Sequence, residues 1–258
     1  MFHGSALAEF DEIDIDSADG VKFKLKNNFL TRLAFKIIGL PHIESRIRAK
    51  RIFSFLPKKS FGKKVLDAGC GYGLHSLELK KRNFEVYSTD INPERINFLK
   101  QETKGLKLSV EDLTNLSFPD NSFDFIICSD VLEHIKKDKK AFQEITKVLK
   151  KSGILCLTVP SVSRQNLKNQ KKYGHERIGY RIKDIKILAE ENNLKIKEVK
   201  PYSGKIVEKA FEINEKIYKN KILLGLLFYP LYLSSFMEDI FGLNKKYYNG
   251  AAYKLVKV

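Results

Sequence analysis

The chain has 258 residues, 43% of them hydrophobic and including 18 Phe and 11 Tyr, which is enough to bury one sizeable core and excludes a disordered chain. Its formal net charge of +16, from 47 basic and 31 acidic residues, raises nucleic acid or an anionic membrane as a partner, but only 9 of the basic residues are Arg, whose fork specific phosphate recognition favours, so a general Lys-rich composition outweighs a functional basic surface. The three cysteines, Cys70, Cys128 and Cys156, form no CxxC pair and no cluster with histidine, which argues against zinc-binding and disulfide frameworks and for a reducing compartment.

Residues 1–20 hold six acids and no Lys or Arg, and they lack the basic segment and apolar run of a secretory signal. Residues 21–64 reverse the sign, with thirteen basic residues and Glu44 as the one acid. After a short helix expected around Leu30 to Ile38, the segment SRIRAKRIFSF beyond Pro41 spaces Ile43, Ile47, Ile52, Phe53 and Phe55 as a basic amphipathic helix. From residue 63 the pattern becomes regular. Strands are expected at KKVLDAG (63–69), FEVYSTD (84–90), LKLSVED (106–112), FDFIICSD (123–130) and GILCLTVP (153–160). Helices are expected between them at LHSLELKKR, NPERINFLKQE and DKKAFQEITKVLKK, and this alternation implies a parallel sheet covered on both faces. A polar loop (161–180), a helix near 182–192, a sixth strand KIKEVKPY and a final strand AAYKLVKV complete the pattern. Residues 222–237, ILLGLLFYPLYLSSFM, are the most apolar stretch. As a helix they would rise about 24 Å, short of a bilayer's hydrocarbon core, and Pro230 interrupts them. They read as a buried lid or dimer contact, or as an interfacial segment.

The stretch VLDAGCGYG (65–73) ends an apolar strand in Asp67, Gly69, Gly71 and Gly73. The third glycine comes too early for the dinucleotide fingerprint, and no Gly-Lys-Ser/Thr follows, so nicotinamide and Walker-type readings both weaken. Glycines there remove side chains where a ligand would lie against the backbone, and the following helix start offers amide donors. Asp90 closes the second strand where open α/β sheets hold a ribose, and Glu111 and Asp112 close the third, within reach of an adenine amine. Taken singly, each acid is equally at home as a turn residue.

Taken together, VLDAGCGYG, Asp90 in STD, Asp112 in ED, the block FPDNSFDFIICSDVLEHI (118–135) and the turn before GILCLTVP resemble the class I S-adenosylmethionine-dependent methyltransferases of small-molecule type. The resemblance covers about residues 63–202. It implies a Rossmann-like, doubly wound α/β sheet of seven strands, mostly parallel with the last strand antiparallel. It also implies that Gly69, Gly71 and Gly73 surround the methionine and ribose, and that Asp67 orients the loop and reaches the methionine amine. By the same resemblance Asp90 holds the ribose, Ile91 is a further cofactor-binding residue, and Asp112 with Leu113 meets the adenine. The expected organisation is an acidic tail and basic helical arm (1–62), the methyltransferase core (63–202), an apolar helical cap (203–248) and the last core strand (249–258). Arm, loop 162–180 and cap would roof the acceptor pocket.

No metal is expected, because the cofactor's sulfonium already activates its methyl group. For a hydroxyl acceptor the candidate bases are Asp130, His134 and His175. Each has a plainer alternative: Asp130 with Glu133 forms a capping-box pattern, His134 could be a packing residue, and His175 could anchor its loop. Ser129-Asp130-Val131-Leu132 lacks the Pro-Pro-aromatic run of amine-directed nucleic-acid enzymes, and no cysteine follows a proline as a pyrimidine-carbon nucleophile would. The expected activity is O-methylation of a small or lipid-linked acceptor by a cytoplasmic protein with peripheral contact at an anionic membrane. The alternatives are an RNA methyltransferase using the basic arm, or a noncatalytic S-adenosylmethionine-binding subunit.

Overall fold

The computed structural model of the chain describes residues 12–16, 22–26, 43–163, 174–217 and 248–258, with positions 230, 233 and 237 besides. The helix expected around Leu30 to Ile38 and all but those three positions of the apolar stretch lie outside them. The chain divides into two compact units, Met1–Lys50 with Pro201–Gly250, and Arg51–Lys200 with Ala251–Val258.

In the first unit, β1 (Glu12–Asp16) pairs antiparallel with β2 (Lys22–Lys26), two strands absent from the sequence reading of an acidic tail and basic arm. The register explains the abrupt change of sign near residue 20: Glu12, Asp14 and Asp16 stand opposite Lys26, Lys24 and Lys22. Ile13 and Ile15 stand opposite Leu25 and Phe23. The expected basic helix forms as α1 (Ile43–Phe53), with Ile47, Ala49, Ile52 and Phe53 buried and Lys50 exposed. Among the described residues no helix is long and apolar enough to cross a membrane.

In the second unit the elements are β3 (Lys64–Ala68), α2 (Leu74–Lys81), β4 (Glu85–Asp90), α3 (Pro93–Glu102), β5 (Lys107–Val110), β6 (Phe123–Ser129), α4 (Asp138–Val148), β7 (Leu149–Pro160) and α5 (Ile182–Glu191). β8 (Leu194–Tyr202) and β9 (Gly250–Lys257) complete the sheet, while α6 (Lys205–Ile217) belongs to the first unit. Strand and helix alternate from β3 to β5 and again after β6, but no helix separates β5 from β6. The sheet runs β5-β4-β3-β6-β7-β9-β8, with parallel pairing from β5 through β7 and one antiparallel strand, the Rossmann-like architecture that the resemblance implies. Its central strands are continuous apolar runs because helices cover both faces. Val65, Leu66, Ile126, Ile127, Leu155 and Leu157 are all almost fully buried. Cys128 and Cys156 belong to the same layer as free thiols, and burial pushes the Cys156 thiol up to about 12, which suits packing and not nucleophilic attack.

The helix expected through residue 151 stops at Val148, because Leu149 turns extended to pair with Phe123 at the start of β7. Its last carbonyls are met from far along the chain. Lys257 on β9 donates from Nζ to the carbonyl oxygens of Thr146 (2.8 Å) and Leu149 (2.7 Å). An ammonium at a helix C-terminus is favourable both as a hydrogen-bond donor and against the helix dipole. Lys257→Met, which keeps the apolar stem, is expected to lower stability by about 1 kcal/mol. Urea unfolding checks this, and an unchanged midpoint would assign the cap no weight.

Candidate active site

β3 lies between β4 and β6, so the chain builds outward on one side of it and then returns to build on the other. That reversal leaves a crevice at the carboxyl end of β3, where open α/β sheets take their ligands. The loop leaving β3 is stitched to the end of β4. The N–H groups of Gly69 and Cys70 both donate to the Thr89 carbonyl (2.8 Å each), and Gly73 N–H donates to the Cys70 carbonyl (2.9 Å). Gly71 N–H donates to Asp90 Oδ2 at 2.9 Å.

The three glycines divide by role. Gly69 and Gly73 have φ of 77° and 79°, and a Cβ on either would come within 2.5 Å of Val131 Cγ2 or 2.7 Å of Leu99 Cδ2. Their missing side chains therefore serve the turn and its packing against this chain's own residues, not the approach of a ligand expected for all three. Gly71, at φ 54°, would point a Cβ into open space, so it alone among them presents bare backbone to the crevice.

Asp90 is 5% exposed at the end of β4, and its Oδ1 accepts a second backbone bond, from Asn92 N–H at 2.9 Å. Arg95 Nη1 stands 3.6 Å from Oδ2. With about four lone-pair sites, the carboxylate keeps capacity for a vicinal diol after holding both loops. Ile91, next in sequence, is 69% exposed and offers apolar surface beside that acceptor. Asp67 is buried, and its Oδ2 accepts from Ser76 Oγ at 2.5 Å, which in turn accepts from Ser88 Oγ at 2.8 Å. Burial, partly offset by the Ser76 hydroxyl and N–H, raises the Asp67 carboxyl to about 7. Asp112 lies two residues past Val110, which is in register with Asp90. It is exposed, with Oδ1 accepting from Thr114 N–H at 2.8 Å, while Leu113 is buried.

The second group of expected residues follows β6. Asp130 sits at φ 51°, and its Oδ1 accepts from Thr158 Oγ1 at 2.9 Å. It caps no helix: Val131 leads into a single 3-10 turn, Leu132–His134, with no side-chain cap bond, so the capping-box alternative is not what the structure adopts. His134 and His175, 41 positions apart, meet edge to face with ring centroids 4.7 Å apart. The loop carrying His175 is tied to that turn by Glu176 N–H and Arg177 N–H, both donating to the Glu133 carbonyl (2.9 and 3.2 Å). Its far end is pinned by buried Tyr180, whose hydroxyl donates to Asp138 Oδ2 at 2.8 Å, with Arg177 Nη2 2.9 Å from the same oxygen.

Sequence reasoning missed the supports of these groups. Ser76 and Ser88, which engage Asp67, carry no motif, since a serine in a helix and one in a strand are individually unremarkable. Arg95 also stands over the Tyr72 ring (5.7 Å), and Tyr72 meets Phe98 edge-on. An arginine in the first turn of the helix after Asp90 was the available signal.

Residues 66–157 match the family model described as a methyltransferase domain. An uncharacterized protein of Methanocaldococcus jannaschii is 32% identical over 168 residues, 64% of this chain and 65% of that protein. Phosphoethanolamine N-methyltransferase 3 of Arabidopsis thaliana is 35% identical over 102 residues, but the match spans only 21% of that enzyme. The ubiquinone biosynthesis O-methyltransferase of Haemophilus ducreyi is 28% identical over 197 residues, 67% of this chain and 83% of that enzyme. Among solved structures, Haemonchus contortus phosphoethanolamine N-methyltransferase 2 in complex with S-adenosyl-L-methionine shares the fold. Its TM-score is 0.63 at 20% identity over 92% of this chain and 62% of that one. The matching family model, the strand order and the crevice agree: residues 66–157 carry a methyltransferase domain, on the fold of the class I S-adenosylmethionine-dependent methyltransferases.

Proposed function

We propose that this chain binds S-adenosylmethionine at the carboxyl edge of β3 to β5 and methylates an oxygen of a small or lipid-linked acceptor. The observation that carries the reading is the Asp90 carboxylate, which holds the amides of both flanking loops and retains acceptor capacity beside the bare backbone of Gly71. In this reading Asp90 accepts the ribose hydroxyls, Ile91 and Leu113 flank the adenine, and Asp112 accepts its amine. Asp67 faces the methionine amine. When bound, the cofactor supplies an electrophilic methyl on a sulfonium and leaves as a neutral thioether. The chain's own task is to align the acceptor oxygen with that methyl, exclude water and accept the hydroxyl proton.

Asp130, His134 and His175 are the groups for that proton, and the structure clusters the two histidines on the turn and loop that follow β6 and β7. An oxygen acceptor is favoured because the ubiquinone-biosynthesis relative is matched over most of its length, whereas the phosphoethanolamine relative is matched over a fifth. A cytoplasmic location, with the basic arm and residues 222–237 meeting an anionic membrane surface, belongs to the same reading. The test is methyl-labelled cofactor with the full chain and a cell extract separated into polar, lipid, RNA and protein fractions. Label in a base-stable ether of the polar or lipid fraction is expected. Label confined to RNA or protein, an N-methylated product, or no transfer at all would overturn it.

A further inference from the structure

We propose that Glu133, His134 and His175 form a binding site for a divalent transition-metal ion of the zinc class. One ligand atom from each of these side chains lies within 4.8 Å of the other two. The residues come from two segments that the backbone holds together. Glu176 and Arg177 N–H donate to the Glu133 carbonyl, and the Tyr180, Asp138 and Arg177 contacts fix the end of the loop. His134 Nδ1 faces the Gly174 carbonyl at 3.4 Å, a contact that favours the proton on Nδ1 and leaves Nε2 as the electron-pair donor. Metal-binding histidines are oriented in this way by a backbone carbonyl on their second nitrogen.

The donor set decides the class of ion. Two imidazoles and one carboxylate suit zinc, cobalt or ferrous iron, whereas magnesium and calcium favour sites made wholly of oxygen. Glu133 is 1% exposed, so its carboxylate meets an arriving dication at low effective dielectric, where their attraction is strong. Metal–ligand bonds of about 2.0–2.1 Å in tetrahedral array separate ligand atoms by about 3.3 Å, so the cluster need close by at most about 1.5 Å, within the reach of ring rotation. Three protein ligands leave a fourth position for an oxygen, whose pKa the ion would lower.

The turn bearing Glu133 and His134 directly follows Val131, whose side chain abuts Gly69, so the site stands at the same sheet edge as the glycine loop. Resting on the O-methylation reading, the open position fits the acceptor's hydroxyl, and Asp130 is then left to take its proton.

The experiment titrates the full chain, stripped with chelator, with zinc, cobalt and magnesium separately and without cofactor. Expected are one zinc or cobalt per chain, visible absorption from four- or five-coordinate cobalt, and no saturation by magnesium at equal concentration. Glu133→Gln, His134→Ala and His175→Ala should each weaken zinc binding by at least about tenfold. Absence of zinc and cobalt binding by the unaltered chain, binding insensitive to all three substitutions, or preference for magnesium would each overturn the proposal. The cobalt spectrum of the unaltered chain keeps the test decisive where a variant fails to fold. Binding of S-adenosylhomocysteine, measured in parallel, separates a failure of the cofactor reading from a failure of the metal site.

Discussion

Replacing Asp90 with alanine is expected to weaken S-adenosylhomocysteine binding by about 2–4 kcal/mol, on the order of 30- to 1,000-fold in Kd. The effect is large because one carboxylate performs two tasks. It accepts from the Gly71 and Asn92 amides at 2.9 Å each, which fixes the turn after β3 against the start of α3. It also presents the remaining lone pairs on which a ribose diol would bond. Alanine removes the ligand's acceptor and releases both loops together. Asp90→Asn is informative because it preserves shape. Its amide has one acceptor oxygen, so its NH2 group must face the N–H of Gly71 or of Asn92, donor against donor. It should therefore bind much nearer to alanine than to the native protein. Calorimetry with all three proteins checks this, and affinities within threefold of one another would remove Asp90 from the cofactor site.

The legibility of Asp90 in the sequence shows what sequence reading can reach. An acid at the end of a β-rich run, one βα unit after a glycine turn, has its position dictated by local pattern, and so do Asp67, Gly71 and the strand boundaries around them. Pattern could not show that Gly69 and Gly73 serve Val131 and Leu99, because those contacts come from other βα units. The meeting of His134 with His175 lay beyond it for the same reason, since only the loop after β7 brings them together. Lys257 capping α4 is a contact across about 110 positions, and no periodicity encodes it. The β1–β2 hairpin was missed for a different reason. Its period-2 alternation, EIDID against KFKLK, is local and readable, but opposite charge blocks of this kind fit an acidic tail and a basic arm equally well.

Asp67 is the other residue whose substitution should have a large and unusual signature, this time in stability against pH. Burial raises its carboxyl from 3.8 to about 7, helped by the charge of Asp90 and opposed by the Ser76 donors. Between those values the folded protein holds a proton that the unfolded chain has released, so this group's contribution to stability falls as pH rises through the window. The slope approaches about 1.4 kcal/mol per pH unit and sums to about 4 kcal/mol. This is opposite in sign to the behaviour of a salt-bridged carboxylate, which gains stability as pH rises toward about 4 and is nearly flat above it. Asp67→Asn keeps an oxygen for the Ser76 hydroxyl and carries no titrating proton. The difference in unfolding free energy between variant and native protein should therefore move in the variant's favour by about 4 kcal/mol from pH 4 to pH 8, with the other carboxylates cancelling in the subtraction. Denaturant unfolding at a series of pH values reads this directly, and parallel profiles would show that Asp67 is ionised in the fold. With the methionine ammonium beside it as proposed, the ionised form is the one that binds. Affinity for S-adenosylhomocysteine should then rise with pH toward 7 in the native protein with release of a proton to the buffer, and Asp67→Asn should lose both the rise and the release.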